Sequence, residues 1–222
     1  MKRLRLLNSA LTILLMGWFS VAEAQPIPSA AAACYFVARV YLNPVNGVGQ
    51  AIGYFTDIAG IGASDTLFYG SPGQSTAFFT FRSDVFSLAP LPSNGAFTLD
   101  LVNAGEFNIY YNPSPTGDWS DPNTFSGGKA FPGQPIATFA RPESLVLNGV
   151  IGKHVVTGYL KSSRPFTFNG HRSDFNEIAP AGLTLNETAS TVPDVPGISD
   201  FPVGLALAGN CLAVGNERQG DQ

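Results

Sequence analysis

The sequence has 222 residues, with 12 Lys and Arg, 16 Asp and Glu, 2 His and 2 Cys. Only 13% of the residues are charged while 45% are hydrophobic, a balance that excludes a disordered chain. Two cysteines are too few for a disulfide-dense mini-protein or a Cys-rich metal domain.

The first 24 residues have the pattern of a secretory signal peptide. Three basic residues precede an apolar run over 6–21, and an Ala-Glu-Ala cleavage site follows at 22–24. A retained membrane anchor fits less well, because the apolar run is shorter than the ~20 residues that a spanning helix needs. We therefore expect a secreted or periplasmic protein whose mature chain, 25–222, is a single domain without a transmembrane anchor.

The mature chain is acidic. Removal of residues 1–24 leaves 9 basic and 15 acidic side chains, a net charge of −6, and no basic cluster. The phosphates of a nucleic acid would be repelled by such a surface, so nucleic-acid binding is not expected.

Cys34 and Cys211 lie near the two ends of the mature chain. Cysteine pairs are usually oxidised in exported proteins, so we predict a disulfide between them. The alternative is lipidation of Cys34, because residues 31–34 loosely match a lipoprotein box. Cys34 lies well beyond the apolar run and has a partner cysteine, which favours the disulfide.

Short strands follow one another along the mature chain. Runs of β-branched and aromatic residues between turn signals predict strands over 34–42, 48–56, 66–69, 76–82, 97–102, 106–112, 136–141, 144–147, 154–161, 166–168 and 203–214. The segments 97–102 and 106–112 are predicted to form a hairpin. No stretch of ten or more residues has the apolar face of a helix. The fold class is therefore all-β, a barrel or a two-sheet sandwich of about ten short strands.

Residues 113–134 are rich in Pro, Gly, Ser and Asp and are predicted to form a long connecting loop. Within it, Trp119 is a candidate binding residue, either packed on the barrel or exposed as a contact. Asp118, Asp121 and Asn123 have the oxygen atoms that calcium prefers, but their spacing departs from a calcium loop and favours turn residues. No metal or other cofactor is expected.

Several short motifs recur in the same order in the two halves of the chain. They indicate two pseudo-symmetric copies, 34–103 and 134–190, which would pack into one barrel or sandwich. The matching pairs are Ala38-Arg39 with Ala140-Arg141, Gly53-Tyr54 with Gly158-Tyr159, Phe79-Thr80-Phe81 with Phe166-Thr167-Phe168, and Arg82-Ser83-Asp84 with Arg172-Ser173-Asp174.

The repeated Arg-Ser-Asp triplet has two interpretations. Arg and Asp two positions apart share a strand face and would form a structural ion pair or turn cap. Alternatively, the two triplets would meet near the pseudo-two-fold axis and line one site. The candidate binding residues are accordingly Arg82, Asp84, Arg172, Tyr54, Tyr159 and Trp119.

His171 lies close to Asp174 and Glu177 in the second copy, and a histidine beside carboxylates is a candidate general base. The first copy has no equivalent histidine, so the repeat itself does not need one. Known catalytic motifs for hydrolases, metalloproteases and nucleotide binding are absent from the sequence.

Three classes of function remain compatible with this sequence. The first is an exported non-catalytic binding protein, whose many aromatic residues would suit a small apolar ligand. The second is a structural or surface protein in which the same residues fill a solid core. The third is a barrel enzyme of isomerase, cyclase or hydrolase type acting on a small apolar substrate. The sequence does not indicate an oligomeric state.

Overall fold

The computed structural model describes residues 27–61, 66–127, 133–148 and 152–214; the predicted signal peptide lies outside them. The strands are β1 (Ala32–Asn43), β2 (Val48–Ile58), β3 (Phe79–Ser83), β4 (Phe86–Pro90), β5 (Thr98–Val102), β6 (Gly105–Tyr111), β7 (Ala137–Arg141), β8 (Ser144–Asn148), β9 (Gly152–Ser163), β10 (Phe166–Phe168), β11 (His171–Ser173), β12 (Leu183–Ala189), β13 (Val195–Ile198) and β14 (Phe201–Ala213).

Eight strands close into an antiparallel barrel. The pairing order is β1, β2, β3, β6, β7, β9, β12 and β14, and β14 pairs again with β1. The prediction of an all-β fold is confirmed, and of the two architectures left open by the sequence the barrel is correct. Closure leaves none of these eight strands as a free sheet edge, which removes the usual aggregation hazard of open sheets.

Strands β4, β5 and β8 are continuations of barrel strands. Only two residues separate β3 from β4, β5 from β6, and β7 from β8. The β5–β8 pairs, such as Val102 with Ser144, follow the same register as the β6–β7 pairs, such as Gly105 with Arg141. The predicted hairpin between 97–102 and 106–112 is therefore wrong. These two segments lie end to end in one interrupted strand, since both keep the same neighbours across the interruption.

Helical structure is scarce in the described ranges. It consists of a 3-10 turn (Pro122–Phe125) and one α-helical turn, α1 (Phe175–Ile178). No helix among the described residues has the length and apolar character needed to cross a membrane.

One half of the barrel interior is filled with phenylalanine. Phe36, Phe55 and Phe81 meet through edge-on and tilted contacts, with ring centres 5.3 and 5.4 Å apart. Phe107 and Phe139 stack at 4.8 Å. Aromatic pairs of this kind stabilise the fold beyond what the burial of their apolar surface contributes. This half of the interior is therefore a packed core.

A short segment covers this aromatic half. Strands β10 and β11 form a separate two-stranded sheet, and α1 follows directly. Phe166, Phe168 and Phe175 from this segment are buried and belong to the same apolar core as Phe79 and Phe139. The covering segment thus closes one end of the barrel.

The described part of the 113–134 loop packs on the outer wall of the barrel. Phe125 is fully buried in a second apolar cluster with Tyr41, Ile52 and Phe201, and Trp119 packs against that cluster. The Tyr41 hydroxyl donates a hydrogen bond to the Trp119 carbonyl oxygen at 2.7 Å. The polar side chains at the tip of this loop are exposed, whereas its apolar side chains, Trp119 and Phe125, pack against the barrel.

The proposed copies correspond only in part. Ala38 pairs with Gly53 across β1 and β2, and Ala140 pairs with Tyr159, next to Gly158, across β7 and β9. Beyond this point the elements differ. Residues 79–84 continue the barrel, whereas residues 166–174 form the separate sheet and lead into α1. The duplication itself stays a prediction.

Cys34 and Cys211 form the predicted disulfide, between directly opposed residues of β1 and β14. They are 177 positions apart, and the chain-entropy model assigns about 5 kcal/mol to closing a loop of that length. The bridge therefore joins the first and last barrel strands where the ring closes.

We expect that replacing both Cys34 and Cys211 by Ser lowers the free energy of unfolding by about 2–5 kcal/mol, because the unfolded chain regains its freedom. Denaturant unfolding with and without reductant measures this change. The double variant serves as the control, since reductant should destabilise only the wild type. Two reactive thiols in unfolded, unreduced protein would contradict the bridge.

Candidate ligand-binding cavity

The other half of the barrel interior is hollow. The cavity has a volume of about 120 Å³. Its walls are mainly aliphatic, because the inward positions of the strands carry small and medium side chains in this half. They include Val40, Leu42, Ala51, Val102, Val146, Val156 and Leu205.

The aromatic core forms the floor of the cavity. Phe81 and Phe107 line it and also belong to the packed half. Gly53 and Gly158 allow these rings to lie against the backbone. A Cβ atom would come within 2.5 Å of the Phe81 ring at Gly53 and within 3.0 Å of the Phe107 ring at Gly158. Because these two positions have no side chain, the Phe81 and Phe107 rings lie close to the barrel wall, and this sets the depth of the cavity.

Arg141 places a cation in this apolar wall. It is the last residue of β7, its exposed fraction is 9%, and it lines the cavity. Its guanidinium lies 5.7 Å from the centre of the Phe86 ring. Among the described residues, Nη1 of Arg141 is the buried side-chain nitrogen or oxygen atom that has no hydrogen-bond partner. A buried donor without a partner costs free energy.

Burial and nearby carboxylates act on the Arg141 guanidinium in opposite directions. Burial lowers its pKa, while the charges of Asp84 and Glu187 raise it. Because the pKa of an arginine starts far above neutrality, the guanidinium stays protonated. The cavity thus contains a fixed positive charge.

His154 and Glu187 form a second polar feature of the cavity. They are directly opposed residues of β9 and β12, and both line the cavity. His154 Nδ1 lies 3.6 Å from Glu187 Oε2, and each side chain is 15% exposed. This separation is too long for a good hydrogen bond and corresponds to an ion pair when the imidazole is protonated.

The predicted general base lies elsewhere. His171 and Glu177 are exposed on the covering segment, outside the cavity. Asp174 caps α1 by accepting a hydrogen bond from the Asn176 N–H at 2.9 Å, and it also accepts one from the Ser163 hydroxyl. The three side chains lie on the outside of the barrel end that the aromatic core fills.

The two Arg-Ser-Asp triplets occupy different surroundings. Arg82 donates hydrogen bonds to the Asn123 side-chain oxygen at 2.8 Å and to the Ser126 hydroxyl at 3.3 Å, which tethers the long loop. Asp84 is exposed at the interruption between β3 and β4 and accepts a hydrogen bond from the Glu106 N–H at 3.2 Å. Arg172 is exposed on β11. The triplets therefore do not meet at a shared site.

The aromatic binding candidates lie on the outer wall. Tyr54 packs between Trp119 and Phe68, with ring centres at 5.9 and 5.8 Å, and burial raises the pKa of its hydroxyl. Trp119 also stacks beneath the Arg39 guanidinium at 4.6 Å. Tyr159 is 56% exposed. None of these three side chains is among those lining the cavity in the described part of the chain.

The calcium candidates serve as turn residues. Asp118 accepts hydrogen bonds from the Ser120 N–H at 2.9 Å and the Ser120 hydroxyl at 2.8 Å, and these bonds lower the pKa of Asp118. Asp121 accepts the Asn123 N–H at 3.0 Å and so caps the 3-10 turn. One carboxylate oxygen of each aspartate, Oδ1, is thus engaged in local hydrogen bonds, and the side-chain oxygen of Asn123 accepts a hydrogen bond from Arg82.

Comparisons with protein-family models, with curated proteins and with solved structures found no match.

Arg141, His154 and Glu187 do not stand out in the sequence as a group. The signal that identifies them is local. Each occupies an inward position in the alternation of its strand, as a charged or polar residue among apolar ones. Finding the group also requires knowing that β7, β9 and β12 are neighbours in the ring.

We expect the Arg141→Met variant to be more stable than the wild type by about 1–2 kcal/mol in the absence of ligand, because a buried cation with an unsatisfied donor is replaced by an apolar side chain of similar length. Denaturant unfolding measures the difference. Arg82→Met is the matched control and should lose about 1 kcal/mol, since it breaks two hydrogen bonds. A less stable Arg141→Met variant would show that Arg141 is structural.

Proposed function

We propose that the protein is an exported, non-catalytic binding protein that holds one small, mainly apolar molecule inside the barrel. The observation that carries this proposal is the aliphatic cavity above the aromatic floor. Eight-stranded barrels are of the size that side chains can fill or that can hold one small ligand. A packed interior is sufficient for a purely structural barrel, so the cavity favours a binding function.

The size of the cavity limits the ligand. A water molecule needs about 10–15 Å³ of cavity volume, so 120 Å³ is room for several water molecules. Apolar walls hold water poorly, so the same space favours an aliphatic chain or a single ring.

Export is supported by two independent features. The leader pattern of residues 1–24 is that of a signal peptide. The Cys34–Cys211 disulfide is of a kind that persists in oxidising compartments. Together they favour a secreted or periplasmic location.

The proposal predicts that the protein binds 1-octanol, a neutral probe of suitable size, with one site per chain by isothermal titration calorimetry. Ala51→Phe should abolish binding, because residue 51 lines the cavity and the ring would occupy it. Val146→Phe is a second blocking variant at another wall position.

The matched control is Ala89→Phe, which introduces the same side chain on an exposed position of β4 and should leave octanol binding unchanged. Far-UV circular dichroism verifies that each variant is folded. Absence of binding in the wild type, or equal binding in all three variants, would refute an internal site.

The His154–Glu187 pair supports a second candidate function, acid–base catalysis on a small apolar substrate. In this alternative, neutral His154 removes a proton from the carbon next to a ketone and returns one to it, and Glu187 stabilises the imidazolium formed in between. Arg141 would stabilise the negative charge on the enolate oxygen.

This alternative predicts that the protein accelerates the exchange of the α-hydrogens of 2-octanone for deuterium in heavy water, as measured by NMR. His154→Gln should remove the acceleration, and His171→Gln, at the exposed histidine, should not. No acceleration by the wild type would leave the protein as a binding protein.

A further inference from the structure

We infer that Arg141 anchors an anionic group, so that the ligand is a small carboxylate with an apolar body. This inference rests on the proposed function and names the class of ligand. It adds a charge requirement that the volume and the aliphatic walls of the cavity do not imply by themselves.

The first argument is the unsatisfied donor. Arg141 is nine-tenths buried, lines the cavity, and has Nη1 without a hydrogen-bond partner in the described part of the chain. A carboxylate is one of the acceptors that a guanidinium binds strongly, through charge-assisted hydrogen bonds. Binding of a carboxylate would complete the hydrogen bonding that the protein leaves incomplete.

The second argument is the surroundings of that charge. Phe86, Phe107 and Val146 line the same cavity as Arg141. A ligand bound through Arg141 would therefore place the rest of its atoms against aliphatic and aromatic walls, where a chain or ring is favoured over further polar groups.

The third argument concerns the size of the ligand charge. The carboxylates of Glu187 and Asp84 are close enough to act on the guanidinium, and Glu187 itself lines the cavity. A dianion such as a phosphate monoester would meet this negative charge with one arginine as its partner. A monoanion would meet less of this repulsion than a dianion, so the site favours a carboxylate over a phosphate monoester.

The test compares octanoate with 1-octanol, two ligands of similar shape that differ in charge. By isothermal titration calorimetry, the wild type should bind octanoate at least about tenfold more tightly, as expected for a charged hydrogen bond in a buried site. Arg141→Gln should bring the affinities for octanoate and octanol to within about twofold of each other, and far-UV circular dichroism verifies that the variant is folded. Arg141→Met is a second neutral variant with the same expectation.

Two further variants sharpen the test. Arg172→Gln changes an exposed arginine outside the cavity and should keep the full preference for octanoate. Glu187→Gln removes a competing negative charge from the cavity and should increase the preference.

The outcomes separate the two proposals. Octanol binding without a preference for octanoate, or a preference that survives in both Arg141 variants, overturns the assignment to Arg141 and leaves the binding function standing. If the wild type binds neither probe, the proposed function fails, and the ligand class fails with it.

Discussion

The fixed interior of an eight-stranded barrel is the constraint on which the rest of this structure depends. Every strand points alternate residues inward, so the sizes of those residues decide whether the interior is solid or hollow. In one half these residues are phenylalanines. Phe55 packs against the Phe81 ring, and Phe139 packs against the Phe175 ring. In the other half they are residues such as Ala51 and Val102, which leave space. The first half stabilises the fold, and the second half is thereby free to hold a site.

Charged groups in the hollow half work against stability, which makes their presence informative. An isolated charge in apolar surroundings is strongly disfavoured, and the carboxylates of Asp84 and Glu187 offset only part of that cost for Arg141. His154 and Glu187 face each other, but the distance between their side chains is too long for a good hydrogen bond. Polar groups left incomplete in this way are typical of sites whose partner arrives with the ligand.

The parts of the fold that depend on local sequence could be predicted, and those that depend on closure of the barrel could not. Alternating β-branched and aromatic residues identified most strands, and the disulfide followed from there being one cysteine pair. The sequence left barrel and sandwich open, because closure is set by the pairing of β1 with β14 across the whole chain. The repeated Arg-Ser-Asp triplets drew attention to 82–84 and 172–174, yet one triplet lies in the barrel wall and the other on the covering segment. Arg141, His154 and Glu187 come from three strands, and only the ring brings them together.

The interruptions in the barrel wall and the cavity site are parts of one feature. Residues 84–85, 103–104 and 142–143 interrupt three neighbouring strands side by side. Pro142 has no N–H to donate, so the sheet ladder cannot continue through it. Pro142 directly follows Arg141.

The barrel wall at these interruptions is held together by two hydrogen bonds between Asp84 and Glu106. One runs from the Asp84 N–H to the Glu106 carbonyl at 2.9 Å, and the other from the Glu106 N–H to the Asp84 carboxylate. Gly105 lies opposite Arg141, and an added Cβ would come within 3.0 Å of the guanidinium. The same local break in the sheet therefore accommodates the guanidinium, one nitrogen atom of which has no hydrogen-bond partner among the described residues.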